Sequence, residues 1–203
     1  AKEREKSKEI NTMIQRFNRV SSWVATEILL VANMKKRASV IKHFIQMAVA
    51  CLEIRNFNTL LEITAGLNFS VIQRLRKTWK LVPSKWINSF KTLEDLMDCR
   101  RNFMSYRKAL KECDPPVFPY FGIFLRDCTF IDVGNDTYDE DKFVNFERLK
   151  LKGEVIRAFQ RYQKSPYHFP AAHPIQNYLH NLSAFEEELL HKYSILYENA
   201  AEI

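Results

Sequence analysis

Apolar residues recur at intervals of three and four along most of this chain, the spacing that places them on one face of an α-helix. Ile10, Met13, Phe17, Val20, Val24, Ile28 and Val31 form such a stripe, bounded by a predicted basic turn at Lys35-Lys36-Arg37. A second helix is predicted through Ile41, Phe44, Ile45, Ala48 and Leu52, ending near Arg55-Asn56. Asn58 is then the expected cap of the segment bearing Leu60, Leu61 and Ile63, because its short side chain can accept from an unpaired first-turn amide. Ser70-Val-Ile-Gln73 has the spacing of a capping box and predicts a short helix reaching Trp79. Pro83 marks a turn, and Ser84 is the predicted cap of a helix carrying Trp86, Phe90, Leu93 and Met97.

Pro115-Pro116 must end any helix arriving from Tyr106 and Leu110, since proline lacks the amide donor and restricts the residue before it. Phe121, Phe124, Leu125 and Cys128 then fall at i, i+3, i+4 and i+7, with Gly134-Asn135 read as a left-handed stop. A further helix is predicted from about Asp141 to Gln163. The two make a helical hairpin over about residues 120–163, joined by an acidic, polar connection. Its first arm starts apolar and ends polar, so it can root in a core while its tip projects as a wedge. After an aperiodic segment from His168 to Pro174 come two more amphipathic stretches, through Ile175, Tyr178 and Leu179, then Phe185, Leu189, Leu190 and Tyr193.

With 203 residues, 46% hydrophobic and 13% aromatic, the chain is long enough to bury one sizeable core, and one domain over residues 1–203 is expected. Only 4 glycines interrupt it, and the periodicity is helical throughout, so the expected fold is all-α. The net charge of +7 favours an acidic partner or surface. Acidic residues are nevertheless interleaved through most helices, not excluded from a Lys/Arg stripe with exposed aromatics, which argues against nucleic acid. Cysteines 51, 99, 113 and 128 include no C-x-x-C pair and neighbour apolar helical residues, as buried reduced thiols do. No apolar run approaches the roughly 20 residues that span a bilayer, and the charged opening AKEREKSKE does not read as a signal peptide. A soluble, cytosolic protein is expected.

Chemistry-bearing motifs are missing from the sequence. The glycines at 66, 122, 134 and 153 are too scattered to cradle a phosphate. The five histidines form no H-E-x-x-H, Asp136 to Asp141 lacks the ligand pattern of a calcium loop, and no G-x-S-x-G occurs. No metal, cofactor or covalent catalysis is expected.

Six segments stand in one order: FNRVSSWVATEIL at 17–29, NFNTLLEITAGLN at 56–68, RLRKTW at 74–79, RNFMSYR at 101–107, PPVFPYFGIFLRDCTFIDVGN at 115–135 and VNFERL at 144–149. Together, from about Ile14 to Asn199, they closely resemble the catalytic domain of Ras-family guanine-nucleotide exchange factors. The resemblance implies a single helical bowl that grips the switch regions of a small GTPase, Ras or Rap, with a protruding hairpin that pries the first switch from the nucleotide. It implies that an aromatic of the second switch seats in an apolar socket of Ile14, Leu61, Phe103 and Tyr120. Asn68, Asn102 and Phe121 join these as GTPase-binding residues. Arg74, Arg101 and Arg107 are read as making internal hydrogen bonds or meeting solvent, and Phe57 and Trp79 as core.

At the hairpin tip the sequence departs from the best-known Ras activators. They place a leucine and, four residues later, a glutamate where this chain has Thr129 and Val133, with Asp132 as the nearby carboxylate. The departure implies that displacement works mainly by moving the switch, not by mimicking phosphate. Family members also carry further helices before the position of Ile14 that brace the hairpin, and part of these is expected to be missing here. Two other readings stay open: a catalytically silent module that scaffolds a GTPase or another protein, and a basic helical domain for nucleic acid or an anionic membrane. Recruitment to the membranes that carry the GTPase goes with the leading reading.

Overall fold

The computed structural model describes residues 7–138 and 140–198, and among these the chain is all-α, with two isolated β-bridges and no longer strand. Helices α1 (Lys8–Leu29), α2 (Met34–Glu53) and α3 (Phe57–Leu67) pack on one another at the centre. Their facing stripes supply Val24, Ile28 and Leu29, then Ile41 and Ile45, then Leu60 and Leu67, all with no exposed surface. Removing each such side chain from water is worth roughly 1.5–3 kcal/mol, so this three-helix contact dominates the stability of the body. Gly66 permits the close crossing of α1 and α3: a Cβ there would lie 2.4 Å from the Ser21 carbonyl oxygen and 2.8 Å from Val24 Cβ.

Around this centre lie α4 (Ser70–Gln73), α5 (Arg76–Trp79), α6 (Ser84–Leu96), α7 (Met104–Glu112), α10 (His173–His180) and α11 (Glu187–Tyr197). Phe57 is buried in the core and Trp79 packs against it, stacked on Phe90 at 5.6 Å. The hairpin is made by α8 (Gly122–Gly134) and α9 (Phe146–Gln160). Phe121 and Phe124 clasp Phe159 edge-on at 5.1 and 5.2 Å, and Ile123 is buried, so the arms are held at their root. Toward the tip Val133 is 83% exposed, no residue of α9 is buried, and α9 packs chiefly on α8. The pair stands off the body.

Several local expectations are corrected. Lys35-Lys36-Arg37 is not a turn but the start of α2, whose first amides are capped by Asn33 accepting from the Lys36 N–H at 3.0 Å. Arg37 is buried there because its guanidinium donates to the carbonyls of Val31 and Ala32 and to the Thr78 hydroxyl, beside the Glu198 carboxylate at 3.9 Å. The cap of α3 is Asn56, not Asn58, and accepts from the Thr59 N–H at 3.0 Å. Ser70 makes no side-chain cap, and the helix toward Trp79 breaks into α4 and α5, Gln73 instead turning back to the Leu67 carbonyl at 3.0 Å. Ser84 lies inside α6 after Pro83 at the cap position, with no side-chain cap bond.

At the end of α8 no left-handed residue is needed. Asn135 leaves in an extended conformation, φ −141°, and its side-chain amide satisfies the Ile131 carbonyl at 3.0 Å. The second arm starts later than expected, at Phe146, because Asn145 accepts from the Arg148 N–H at 3.1 Å and fixes the first turn there. Of the cysteines, all free, Cys51, Cys113 and Cys128 are half-buried, whereas Cys99 is exposed.

Candidate functional site

The site lies where three elements meet: the first half of α1, the turn before α7, and the segment that enters the hairpin. That segment is pinned to the start of α3 by hydrogen bonds of Phe118 with Phe57 at 2.9 Å and with Arg55 at 3.0 Å. Two residues on, the Tyr120 N–H donates to the hydroxyl of the fully buried Tyr106 at 2.8 Å, which sets the ring of Tyr120 at the surface of the body. Burial pushes the hydroxyls of Tyr106 and Tyr120 up from the usual tyrosine range, so both stay neutral well above physiological pH. Gly122 leaves room for that ring: a Cβ there would lie 2.3 Å from the Tyr120 hydroxyl oxygen. Phe17 and Phe103 flank it, with ring centroids at 5.7 and 5.8 Å.

The turn before α7 carries three successive residues in the left-handed region, Arg101, Asn102 and Phe103, with φ of 51°, 57° and 57°. Each non-glycine residue there is strained, by roughly 1–3 kcal/mol, so the surroundings must hold it. They do. The Asn102 side-chain oxygen accepts from Arg126 and, at 3.1 Å, from Arg107, while the Arg107 Nε–H donates to the Asn102 carbonyl at 2.9 Å. Arg107 also pairs in two-pronged fashion with Asp127, and the Arg126 guanidinium lies over the Phe103 ring at 5.2 Å. The first arm of the hairpin thus fixes Asn102 and Phe103.

The four socket residues inferred from resemblance do not share one pocket. Ile14 and Tyr120, with Phe121, border a cavity of about 590 Å³ between α1 and the hairpin root. Leu61 and Phe103, with Asn68, border a second of about 470 Å³ whose rim includes Glu94 and Asp98. The ring contact of Phe103 with Tyr120 forms the wall between them. Ile14 is 46% exposed, and Asn68, at the end of α3, accepts from Gln73 at 3.2 Å. Phe121 is the inner clasp of the hairpin root as well as a cavity wall.

At the tip, Thr129 spends its hydroxyl on the Leu125 carbonyl at 3.0 Å, and Val133 faces solvent. Asp132 is not an unpaired carboxylate. It bridges to Lys152 at 2.6 Å and to Arg148, which hold it below the usual carboxylate range and tie the two arms together. Arg148 also donates to the Thr137 hydroxyl at 2.8 Å. Sequence reasoning missed Glu62, whose carboxyl lines the larger cavity while 5% exposed. It accepts from the Asn58 side chain at 2.9 Å, and burial pushes its pKa up to about 7. An acid four residues after Asn58 and inside an apolar run was the signal. Among the described residues no group of His, Cys, Asp or Glu is placed to hold a metal, and no helix is long and apolar enough to cross a membrane.

Comparison with known families matches residues 1–150 to the RasGEF domain, a stretch that includes α1, the left-handed turn and all of α8. This chain belongs to the RasGEF domain family. Among curated proteins, the RasGEF chain is 40% identical over 176 residues to Ras guanine nucleotide exchange factor M of Dictyostelium discoideum, covering 86% of this chain and 19% of that protein. It is 34% identical over 199 residues to Ras-specific guanine nucleotide-releasing factor 1 of Mus musculus, covering 98% and 16%. Against Rap guanine nucleotide exchange factor 6 of Homo sapiens it is 42% identical over 161 residues, covering 76% and 10%. The RasGEF chain therefore spans under a fifth of the length of these three relatives.

Proposed function

We propose that this domain is a guanine-nucleotide exchange factor for a Ras-family GTPase, Ras or Rap, releasing GDP so that GTP can load. The family match over residues 1–150 carries the proposal, and the relatives' names, which include both Ras and Rap exchange factors, support the partner class. No covalent bond is made or broken in such a reaction. The domain binds the nucleotide-free GTPase more tightly than the loaded one, and linkage then obliges it to weaken nucleotide binding by the same factor. A speed-up of about 10⁴ in release corresponds to roughly 5.5 kcal/mol of barrier lowering, the coupling needed when it is fully expressed in the off-rate.

In this reading the row Phe17, Tyr120, Phe103 and the cavities on either side, with Ile14, Leu61 and Asn68 at their edges and Asn102 in the adjoining turn, receive the second switch. The standing hairpin displaces the first. Since Asp132 is already neutralised by Arg148 and Lys152, and Thr129 and Val133 offer no charge, the tip acts by displacing the switch sterically, not as a phosphate mimic.

The test is release of a fluorescent GDP analogue from Ras, Rap and Ral proteins. Acceleration for at least one is expected, with Phe103→Ala and Tyr120→Ala each slowing it tenfold or more while the domain stays folded. No acceleration by micromolar domain on any of them would reject exchange. Binding of nucleotide-free GTPase without release would instead establish the silent scaffold.

A further inference from the structure

The outward face of α7 and the turn before it form a cationic cleft that adjoins the site above at Asn102 and whose lysines that site does not use. Arg101, Asn102, Met104, Arg107, Lys108 and Lys111 enclose about 350 Å³, and no acidic residue lines it. The opposite face of α7 is committed to the core through Tyr106 and Leu110, so the cleft points away from the body. Arg107 is engaged by Asp127 and Asn102. The Lys108 and Lys111 side chains, by contrast, have no ion pair or hydrogen bond among the described residues, and Arg101 has no ion pair there. Met104, 55% exposed, stands among these charges.

We propose that this cleft docks the domain on an anionic lipid surface, Arg101, Lys108 and Lys111 taking phosphorylated headgroups while Met104 enters the headgroup boundary. Unpaired cations on one helix face and the turn that leads into it are the charge complement of such a surface. The exposed methionine favours a bilayer over a soluble phosphate, which would give its thioether nothing to bury in. Nucleic acid is disfavoured because no aromatic side chain lines the cleft to stack a base. Docking here would place Phe103, the residue after the cleft's Asn102, close to the membrane. The inference stands on the cleft alone: vesicle binding tests it, and exchange on a lipid-free GTPase separates it from the proposed function.

The experiment is sedimentation of the 203-residue chain with vesicles of phosphatidylcholine alone, with added phosphatidylserine, and with added phosphatidylinositol bisphosphate at matched charge. Binding is expected to both anionic compositions and not to phosphatidylcholine. Each cation near an anionic surface contributes roughly fivefold, so the variant carrying Arg101→Gln, Lys108→Gln and Lys111→Gln should lose on the order of 10² in partition. A control carrying Lys35→Gln, Lys36→Gln and Lys80→Gln should lose less than tenfold, and Met104→Ser should weaken binding at unchanged charge. Absence of binding to anionic vesicles, or equal loss in the two triple variants, would overturn the proposal. So would release by stoichiometric soluble inositol trisphosphate with no effect of Met104→Ser, which would mark a soluble-phosphate site. A matching loss of exchange on a lipid-free GTPase would assign the cleft to the protein interface and equally overturn it.

Discussion

Arg107 and Asp127 meet through two hydrogen bonds of 2.8 and 2.6 Å, and this pair joins α7 to the first arm of the hairpin. The same guanidinium steadies both oxygens of Asn102. One side chain therefore sets the angle of the arm and the conformation of the left-handed turn together. Asp127→Asn keeps the shape but removes the charge and one acceptor. Because both partners are partly exposed, the cost in stability should be small, about 1 kcal/mol. Under the proposed mechanism, in which arm and turn receive the switches, nucleotide release should fall several-fold. Denaturant melts beside nucleotide-release rates check this, and unchanged release would show that the arm is aimed by its aromatic root alone.

Glu62 gives the body a pH dependence with a definite sign. Its carboxyl titrates near 7 in the folded domain and near 4.5 when the chain is unfolded, chiefly because burial disfavours the anion. Between those values the native state holds a proton that the unfolded state has lost, so stability falls as pH rises from about 4.5 to about 7. The full difference is worth about 3 kcal/mol at pH above 7. Glu62→Gln should be more stable than the parent at pH 8, with the gap closing toward pH 5. Equal pH profiles for the two would remove the assignment.

Arg37, Thr78 and Glu198 close the body from a different direction. The Glu198 carboxylate accepts from the Lys77 and Thr78 amides at 2.7 and 2.9 Å and from the Thr78 hydroxyl at 2.7 Å, with Arg37 next to it. The Arg37 guanidinium also covers the Tyr197 ring at 4.4 Å. Breaking a buried pair from one side leaves the other charge uncompensated, at a cost of about 3–5 kcal/mol. Arg37→Met should lower stability by that order, and adding Glu198→Gln should restore part of it. A double variant whose losses simply add would show that the two groups do not act as a unit.

What the sequence made legible was whatever repeats locally. The stripe from Ile10 to Ile28 predicted α1, the spacing of Phe121, Phe124 and Leu125 predicted the rooted arm, and Pro115-Pro116 predicted the break after α7. Helix caps were less legible, because Asn56 and Asn58 are equally suited chemically and only the approach of Phe118 decides where α3 begins. Arg37 reads as part of a basic turn because its partners Thr78 and Glu198 lie far along the chain. The left-handed run at 101–103 had no signal of its own, since none of its residues is glycine and the hydrogen bonds that hold it come from Arg107 and Arg126. The socket was named by resemblance, yet its division by the Phe103 and Tyr120 rings is a property of packing that no spacing encodes.

With no side chain of α9 in the interior, the outer arm contributes little to the folding free energy and is tethered mainly through its neighbour. Residues along it can be exchanged over evolutionary time at slight thermodynamic cost to the scaffold. Solvent-facing positions of α9 can therefore drift while the three-helix centre stays as it is.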